Sequence, residues 1–324
     1  MSALVESAAI EAAAGRIRGV VRRTPLVDVA DIAGRPLRLK CENLQVAGAF
    51  KIRGACNLVS QIASGSDVRG VITYSSGNHA QAVACAARGL GLPAVVVMPE
   101  TAPAVKVEGT RSYGAEVFFE GTTSVQRRRR AEALAAERGL TMVPPFDHHE
   151  IIAGQGTVGL EIVADVPQVD TVYAPIGGGG LIAGVAAAVK RARPAARIIG
   201  VEPVGAAAMA RSVEAGAPVT LDSVASVADG LLPVRPGDLT FAHVAAFVDD
   251  IVTVEDDAIV SAVRWLATRA KLVVEPSGAA SVAAVLFSGR RDVRTDGVTV
   301  AVLSGGNIGP VKLAALLQEG ERTA

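Results

Sequence analysis

The alternation of short apolar runs with helical stretches constrains the fold of this chain more than any other feature of its sequence. Three strand-like runs in succession are each followed by a helical stretch. The predicted strand and helix pairs are residues 70–74 with 78–88, 94–97 with 103–112, and 115–119 with 124–138. Consecutive strand–helix units place their strands parallel in one sheet with right-handed crossovers. We therefore predict an α/β fold built on parallel sheets.

An interruption at residues 142–146 (MVPPF) separates this series from a second one. The second series has predicted strands at residues 171–174, 197–201, 248–253 and 297–303, and predicted helices at 180–191, 255–268, 278–286 and 310–319. The interruption near Pro144 and Pro145 is the predicted domain boundary.

Charge and hydropathy exclude several classes of protein. Lys+Arg and Asp+Glu both number 32, whereas nucleic-acid binders carry a basic excess. The basic cluster at residues 127–130 spreads around a helix, so most of it is predicted to be a solvated face. Residues 1–19 have no basic segment before an apolar core, so no secretory signal is expected. Residues 171–189 lack charge, but they contain a proline and four consecutive glycines, which argues against a membrane span.

The cysteines and histidines predict a reduced compartment and no metal site. Cys41, Cys56 and Cys85 are odd in number and have no zinc-type spacing, so free thiols and a cytoplasmic location are expected. The four histidines show no HExxH-type spacing. No bound metal is predicted.

Four consecutive glycines at residues 177–180 follow one predicted strand and open a helix. Backbone N–H groups without side chains at a helix N-terminus form an anion cradle, which favours phosphate binding. Residues 178–183 also fit the dinucleotide fingerprint GxGxx(G/A), and Glu202 ends the next strand, where an acid could bind a ribose hydroxyl. At this point a nicotinamide enzyme and a non-catalytic ligand-binding module both stay open.

A lysine between two apolar residues is the candidate nucleophile. Lys51 lies between Phe50 and Ile52 at the start of a helix, and desolvation there would lower its pKa. The alternative is a surface lysine whose stem packs on apolar groups. Two polar loops favour a site: residues 75–81 (SSGNHAQ) and residues 304–307 (SGGN) each follow a buried strand, at the edge where open α/β sheets bind ligands.

These features together predict pyridoxal phosphate as the cofactor. That cofactor needs a lysine for covalent attachment, a phosphate site and a partner for its ring nitrogen. A dinucleotide enzyme would not need Lys51 or Ser304 at these places.

The sequence resembles the fold-type II pyridoxal-phosphate enzymes, specifically the threonine/serine dehydratases and serine racemases. The resemblance runs from residue 22 to residue 307. Its motifs are residues 22–26 (RRTPL), 40–45 (KCENLQ), 50–55 (FKIRGA), 75–81 (SSGNHAQ), 153–157 (AGQGT), 177–180 (GGGG) and 304–307 (SGGN). The resemblance implies a tryptophan synthase β-like fold with two parallel-sheet domains and a homodimer or homotetramer. The large cofactor domain would span residues 1–67 and 148–324, and the small α/β domain residues 68–147.

The resemblance also implies the roles of individual residues. Lys51 would bind the cofactor covalently and move the Cα proton, and Ser76 would be a second catalytic residue. The implied cofactor-binding residues are Phe50, Lys51, Asn78, Gly177, Gly178, Gly179, Gly180, Leu181, Gly230 and Ser304. The implied substrate-binding residues are Ser75, Ser76, Asn78, His79 and Arg127.

The implied reaction is the dehydration of L-threonine or L-serine to 2-oxobutanoate or pyruvate plus ammonia. A neutral hydroxyl at Ser304 cannot keep the ring nitrogen protonated, so prompt loss of a β-hydroxyl is favoured over a long-lived carbanion. The alternatives are a serine or 3-hydroxyaspartate racemase/dehydratase and a dehydratase of hydroxyectoine utilisation. Some relatives bind a divalent cation beside the strand that ends at Glu202. The second carboxylate position is Ala208 here, so no metal is expected.

The C-terminal region bears on regulation. Biosynthetic threonine dehydratases resemble this chain but continue into a regulatory domain, whereas only one short helix is predicted after residue 307. One helix is too small to form a separate core that binds an allosteric amino acid. We therefore expect a catabolic enzyme with hyperbolic kinetics. Initial rates against threonine, with and without isoleucine, check this expectation.

Overall fold

Two sheets organise the residues that this computed structural model describes, 4–289 and 297–318. The strands are β1 (Leu26–Asp28), β2 (Leu37–Cys41), β3 (Val71–Tyr74), β4 (Ala94–Met98), β5 (Glu116–Phe119), β6 (Thr141–Met142), β7 (Thr171–Pro175), β8 (Arg197–Pro203), β9 (Asp250–Val254) and β10 (Thr299–Leu303). The helices are α1 (Ser7–Arg16), α2 (Ala30–Ala33), α3 (Lys51–Ala63), α4 (Asn78–Gly89), α5 (Ala104–Ser112), α6 (Ser124–Arg138), α7 (His149–Asp165), α8 (Gly180–Ala192), α9 (Ala208–Ala215), α10 (Asp238–Phe247), α11 (Asp256–Thr268), α12 (Pro276–Val282) and α13 (Pro310–Gln318).

The larger sheet has the strand order β1-β2-β10-β7-β8-β9, and the smaller sheet has the order β5-β4-β3-β6. All pairs are parallel except β1 with β2. Every residue of β4, β7 and β10 is buried. Parallel strands covered by helices on both faces carry such continuous apolar runs. The predicted α/β fold with two parallel-sheet domains is confirmed.

The structure corrects several predicted elements. The predicted interruption at residues 142–146 overlaps a short strand at its first residue, because Thr141–Met142 forms β6, which pairs with β3 in the smaller sheet. The helix predicted at 278–286 begins earlier, as α12, and continues as a π-helical turn, Ala283–Phe287. The strand predicted at 248–253 is β9, shifted by two residues at its start. The last predicted helix is α13, and its final predicted residue, 319, lies outside the described residues.

Glycines bring the long helix α7 into direct backbone contact with its neighbours. A Cβ atom on Gly154 would lie 2.5 Å from the Cα of Gly54 in α3. A Cβ atom on Gly184 in α8 would lie 2.4 Å from the backbone of Gly156. Only residues without side chains allow such close crossings. Helix α7 therefore holds the start of α3 and the start of α8 at fixed positions.

Several sequence expectations concern the chain as a whole. Within residues 4–289 and 297–318, no helix combines the length and apolar content that crossing a membrane requires. The three cysteines are free thiols, as predicted. In the basic cluster, Arg128, Arg129 and Arg130 are exposed, and Arg127 is half-buried.

A buried ion network surrounds Arg53, in the first turn of α3. The Arg53 guanidinium binds Glu42 at 2.8 Å and Glu161 at 2.8 Å, and Arg53 and Glu42 are fully enclosed. Lys40 Nζ binds the second oxygen of Glu161 at 2.5 Å. Burial alone would raise the pKa of Glu42, but the Arg53 and Lys40 charges bring that pKa below its ordinary value. The network therefore holds the Glu42 carboxylate ionised inside the protein.

We predict that Arg53→Met destabilises the cofactor-free protein by about 3–5 kcal/mol, because it leaves Glu42 buried without its partner. Urea unfolding measures this change. The matched control is Arg128→Met, which removes an ion pair with Glu132 whose two side chains are 63% and 52% exposed. Its expected effect is below about 1 kcal/mol. Equal effects of the two variants would contradict the prediction.

Candidate active site

Lys51 is the first residue of α3, and its side chain is half-buried. Its Nζ donates to the Pro145 carbonyl oxygen at 2.8 Å and lies 5.2 Å from the centre of the Phe50 ring. Burial lowers the pKa of Lys51 from 10.5 to about 8. The positive end of the α3 dipole also disfavours the charged form. More of this amine is therefore neutral and nucleophilic near neutral pH than in an ordinary lysine.

The segment before Lys51 adjoins the end of β10. Phe50 donates its backbone N–H to the Ser304 carbonyl oxygen at 3.1 Å, and Ala49 forms a β-bridge with Gly305. The Ser304 hydroxyl is buried and lies 3.4 Å from the Ser277 carbonyl oxygen. A neutral hydroxyl is thus placed beside the loop that carries the lysine.

The four glycines lie between the end of β7 and the start of α8. Gly179 has a φ of +93°, a conformation that favours glycine. A Cβ atom on Gly178 would lie 2.3 Å from the Phe146 ring. Among the described residues, no acceptor binds the backbone N–H groups of residues 178–181. Free donors of this kind at a helix N-terminus suit an anion.

Gly230 links the glycine loop to the Ser304 region. A Cβ atom on Gly177 would lie 3.0 Å from the Gly230 carbonyl oxygen. Gly230 in turn donates its N–H to the Ser277 hydroxyl at 2.8 Å. The predicted residues of β7, β10 and the Gly230 segment therefore meet at one edge of the larger sheet.

Asn78, which follows β3 of the smaller sheet, lies beside this edge of the larger sheet. It begins α4, after the loop in which Ser75 Oγ accepts the Gly77 N–H at 3.2 Å. The Asn78 Oδ1 accepts from Asn307 at 3.0 Å, and its Nδ2 donates to Glu275 at 2.5 Å. The Asn78 amide is therefore held in one orientation by two residues that lie beside the larger sheet.

Glu275 was not identified from the sequence, and neither was its neighbour Lys106. Burial raises the pKa of Glu275 to about 7, while the Lys106 charge acts in the opposite direction. Its Oε2 is buried without a hydrogen-bond partner among the described residues and lies 3.9 Å from Lys106 Nζ, which binds Asp229 at 2.6 Å. Glu275 stands before Pro276 at a helix start, so its sequence context indicates only a helix cap.

Two predicted substrate-binding residues, His79 and Arg127, contact backbone carbonyl oxygens. His79 is buried, and its Nε2 lies 3.1 Å from the Val143 carbonyl oxygen. Burial and the Lys51 charge lower the pKa of His79 to about 3, so the imidazole is neutral. Arg127 lies on α6 and donates to the Thr122 carbonyl oxygen at 3.1 Å. No contact among the described residues joins Arg127 to Lys51 or to the glycine loop.

Glu202 caps a helix at the end of β8. Its two carboxylate oxygens accept the N–H groups of Met209 and Ala210, each at 2.8 Å. Burial raises the pKa of Glu202 to about 7. The carboxylate that would bind the ribose of a dinucleotide therefore already accepts two backbone N–H groups. Within the described part of the chain, no group of three or more His, Cys, Asp or Glu side chains could hold a metal ion.

The comparisons with known proteins agree with this geometry. Residues 17–305 match the family described as "Pyridoxal-phosphate dependent enzyme". The chain belongs to this family. It is 43% identical over 314 residues to L-threonine ammonia-lyase of Geobacter sulfurreducens, covering 96% of this chain and 78% of that protein. It is 39% identical over 312 residues to L-threo-3-hydroxyaspartate ammonia-lyase of Saccharomyces cerevisiae, covering 95% of each. The structure of maize serine racemase superposes with a TM-score of 0.90 at 39% identity, covering 99% of each chain.

Pyridoxal phosphate is the cofactor of this family, and the residues present fit it. The acceptor-free N–H groups of residues 178–181 suit a phosphate. The half-buried amine of Lys51, with its lowered pKa, suits covalent attachment, and the buried Ser304 hydroxyl suits a pyridine nitrogen. The dinucleotide alternative is therefore set aside.

We predict that the covalent attachment of pyridoxal phosphate to the cofactor-free protein speeds up as pH rises, with a midpoint at about 8. The neutral amine is the nucleophile, and its fraction grows as pH rises through the pKa. Stopped-flow absorbance measures the rate, and borohydride reduction followed by peptide mapping locates the bond. Lys51→Arg, which keeps the charge, serves as the control and should give no adduct at position 51. An adduct on another lysine would contradict the prediction.

Proposed function

We propose that this chain is a pyridoxal-phosphate-dependent ammonia-lyase of β-hydroxy amino acids. Its preferred substrates would be L-threonine and L-serine, which lose water and ammonia to give 2-oxobutanoate and pyruvate. The names of its ammonia-lyase relatives support this class of reaction. Bound pyridoxal phosphate supplies an electron sink for the charge that forms at the substrate Cα.

In this proposal the chain's own residues hold the cofactor and move the proton. Lys51 Nζ would hold the cofactor covalently until the substrate amine displaces it, and the freed amine would then take the proton from the substrate Cα. The glycine loop and the Leu181 N–H hold the phosphate, and Phe50 packs against the ring. Asn78 bonds the ring hydroxyl, in the orientation that Asn307 and Glu275 give to its amide. Gly230 lines the site.

The observation that carries the proposal is the neutral hydroxyl of Ser304 at the end of β10. It lies against a backbone carbonyl oxygen. A hydroxyl cannot keep a pyridine nitrogen protonated as a carboxylate would, so the electron sink is weak. A weak sink favours prompt loss of a β-hydroxyl over a long-lived carbanion. Elimination is therefore the reaction that this site suits best.

The substrate carboxylate is proposed to lie on the loop of residues 75–78, at the N-terminus of α4. Free N–H groups and small polar side chains at a helix N-terminus attract an anion. His79 would support this loop as a neutral imidazole, because its pKa is about 3. Arg127 is proposed to line the entrance of the site, from the first turns of α6.

Racemisation of serine or 3-hydroxyaspartate is a second candidate activity. The observation that favours it is Ser76, which is half-buried in the polar loop before α4; the proposal makes its hydroxyl the second base, on the face of the substrate away from Lys51. The similarity to maize serine racemase agrees with it. A dehydratase of hydroxyectoine utilisation would use the same β-hydroxy amino acid chemistry.

The location, oligomeric state and domain bounds of the enzyme are also proposals. Three free cysteines and the charge balance suit a cytoplasmic protein. We propose a homodimer or homotetramer that acts without a nucleic acid, a membrane or a bound metal ion. The large domain would span residues 1–67 and 148–324, and the small domain residues 68–147.

A substrate panel tests the proposed function. The purified enzyme is incubated with L-threonine, L-serine, D-serine and threo-3-hydroxyaspartate, and both the oxo acid and the enantiomer of the remaining amino acid are measured. We expect oxo acid from L-threonine and L-serine as the main product. Faster release of the opposite enantiomer than of oxo acid would replace the ammonia-lyase proposal with a racemase.

We predict that Ser76→Ala lowers any serine racemisation by about 100-fold or more, the ordinary contribution of a positioned acid–base group. Dehydration of L-serine should fall much less, because Lys51 takes its proton. Ser75→Ala, the adjacent matched variant, should change both rates by a similar factor. A parallel loss of both activities in Ser76→Ala would show that this hydroxyl binds substrate and does not act as a second base.

A further inference from the structure

A hydroxyl from a distant helix contacts the glycine loop. Thr240 lies in the first turn of α10 and is fully buried. Its Oγ1 donates to the Gly178 carbonyl oxygen at 2.7 Å, across 62 positions of the chain. A Cβ atom on Gly179 would lie 2.9 Å from this same hydroxyl. Thr240 therefore packs directly against the turn that forms the anion cradle.

The direction of this hydrogen bond decides where the next N–H group points. The peptide bonds of the described residues are all trans, so the C=O and N–H of one peptide unit point in opposite directions. Because the Gly178 carbonyl oxygen faces Thr240, the N–H of Gly179 faces away from α10. This N–H has no acceptor among the described residues. It is therefore available to an anion in the cradle.

Asp147 fixes the helix turn that carries Thr240. Its Oδ1 accepts the N–H groups of Leu239 at 2.9 Å and Thr240 at 3.2 Å, and its Oδ2 accepts that of Asp238 at 3.1 Å. A carboxylate on three N–H groups is a strong helix cap. The cap comes from outside α10, from the segment between the smaller sheet and α7.

The same segment also reaches the reactive lysine. The Phe146 ring covers Gly178, and the Pro145 carbonyl oxygen accepts from Lys51 Nζ at 2.8 Å. Residues 145–147 therefore contact the amine, the glycine loop and the start of α10 in succession. A phosphate and an amine that bind one small molecule must keep a constant separation, and this segment connects the two.

We infer that Thr240 is a positioning residue for the cofactor phosphate, and that Asp147 holds it in place. Thr240 orients the Gly178–Gly179 peptide so that its N–H points into the cradle. Without the hydroxyl, the buried Gly178 carbonyl oxygen keeps only a long hydrogen bond from the Gly237 N–H at 3.5 Å, and the peptide is held less firmly in this orientation. The phosphate then loses a preformed donor, while the Lys51 amine is unchanged.

Titration of the cofactor-free full-length protein with two ligands tests this inference. Pyridoxal phosphate and pyridoxal both react with the lysine, but only the first carries the phosphate. Thr240→Val keeps the side-chain shape and removes the hydroxyl. We expect the dissociation constant of pyridoxal phosphate to rise about tenfold or more, and that of pyridoxal to stay within about twofold. Thr240→Ser, which keeps the hydroxyl, should restore the wild-type ratio of the two constants.

The matched control is Thr110→Val. Thr110 is also fully buried, and its hydroxyl donates to the Lys106 carbonyl oxygen at 2.8 Å within α5. The ratio should not change in this variant. An equal rise for both ligands in Thr240→Val, or an unchanged ratio, would overturn the inference. If Thr240→Val does not fold, Asp147→Asn gives the same test: the ratio should shift in the same direction, and a wild-type ratio in that variant would overturn the inference as well.

Discussion

The architecture of this protein depends on placing one half-buried lysine amine at the positive end of a helix. Lys51 begins α3, and its burial lowers its pKa to about 8. An amine in such surroundings moves unless its helix is held firmly. Two contacts hold α3: the close crossing of Gly54 with Gly154 in α7, and the enclosed guanidinium of Arg53 between Glu42 and Glu161. The ion network therefore fixes α3 two residues beyond Lys51.

The second constraint is that two sheets must present their carboxyl edges to one another. A cluster of amides and carboxylates makes that junction. Asn78, which follows β3 of the smaller sheet, binds Glu275 and Asn307, which lie beside the larger sheet. Lys106 binds Asp229 across the same junction. Burial raises the pKa of Glu275 to about 7, so its charge, and with it the attraction of Lys106, changes within the physiological range of pH. Because the Asn78 amide donates to Glu275, its orientation depends on this contact between the two sheets.

Neutral groups surround the lysine, and this suits elimination. The His79 imidazole is neutral because burial and the Lys51 charge lower its pKa, and the Ser304 hydroxyl carries no charge at all. The glycine loop supplies only backbone dipoles. Fixed dipoles stabilise charge without having to reorganise. The site therefore depends on the geometry of its peptide groups, and this explains why a single hydroxyl, that of Thr240, could govern how well the phosphate is bound.

The sequence alone determined the parallel α/β fold, the glycine cradle, the lysine and the identity of the cofactor. Each rests on local patterns: the strand and helix periodicities, four adjacent glycines, and a lysine between Phe50 and Ile52. The tertiary structure alone decided the roles that depend on long-range contacts. Asn78 meets Glu275 across 197 positions, and Thr240 meets Gly178 across 62, and no local pattern encodes such partners. It also showed that the Arg127 guanidinium donates to the Thr122 carbonyl oxygen, a contact that the sequence did not indicate. Hydrogen bonds between distant segments depend on how the two sheets pack, and packing is a property of the whole chain.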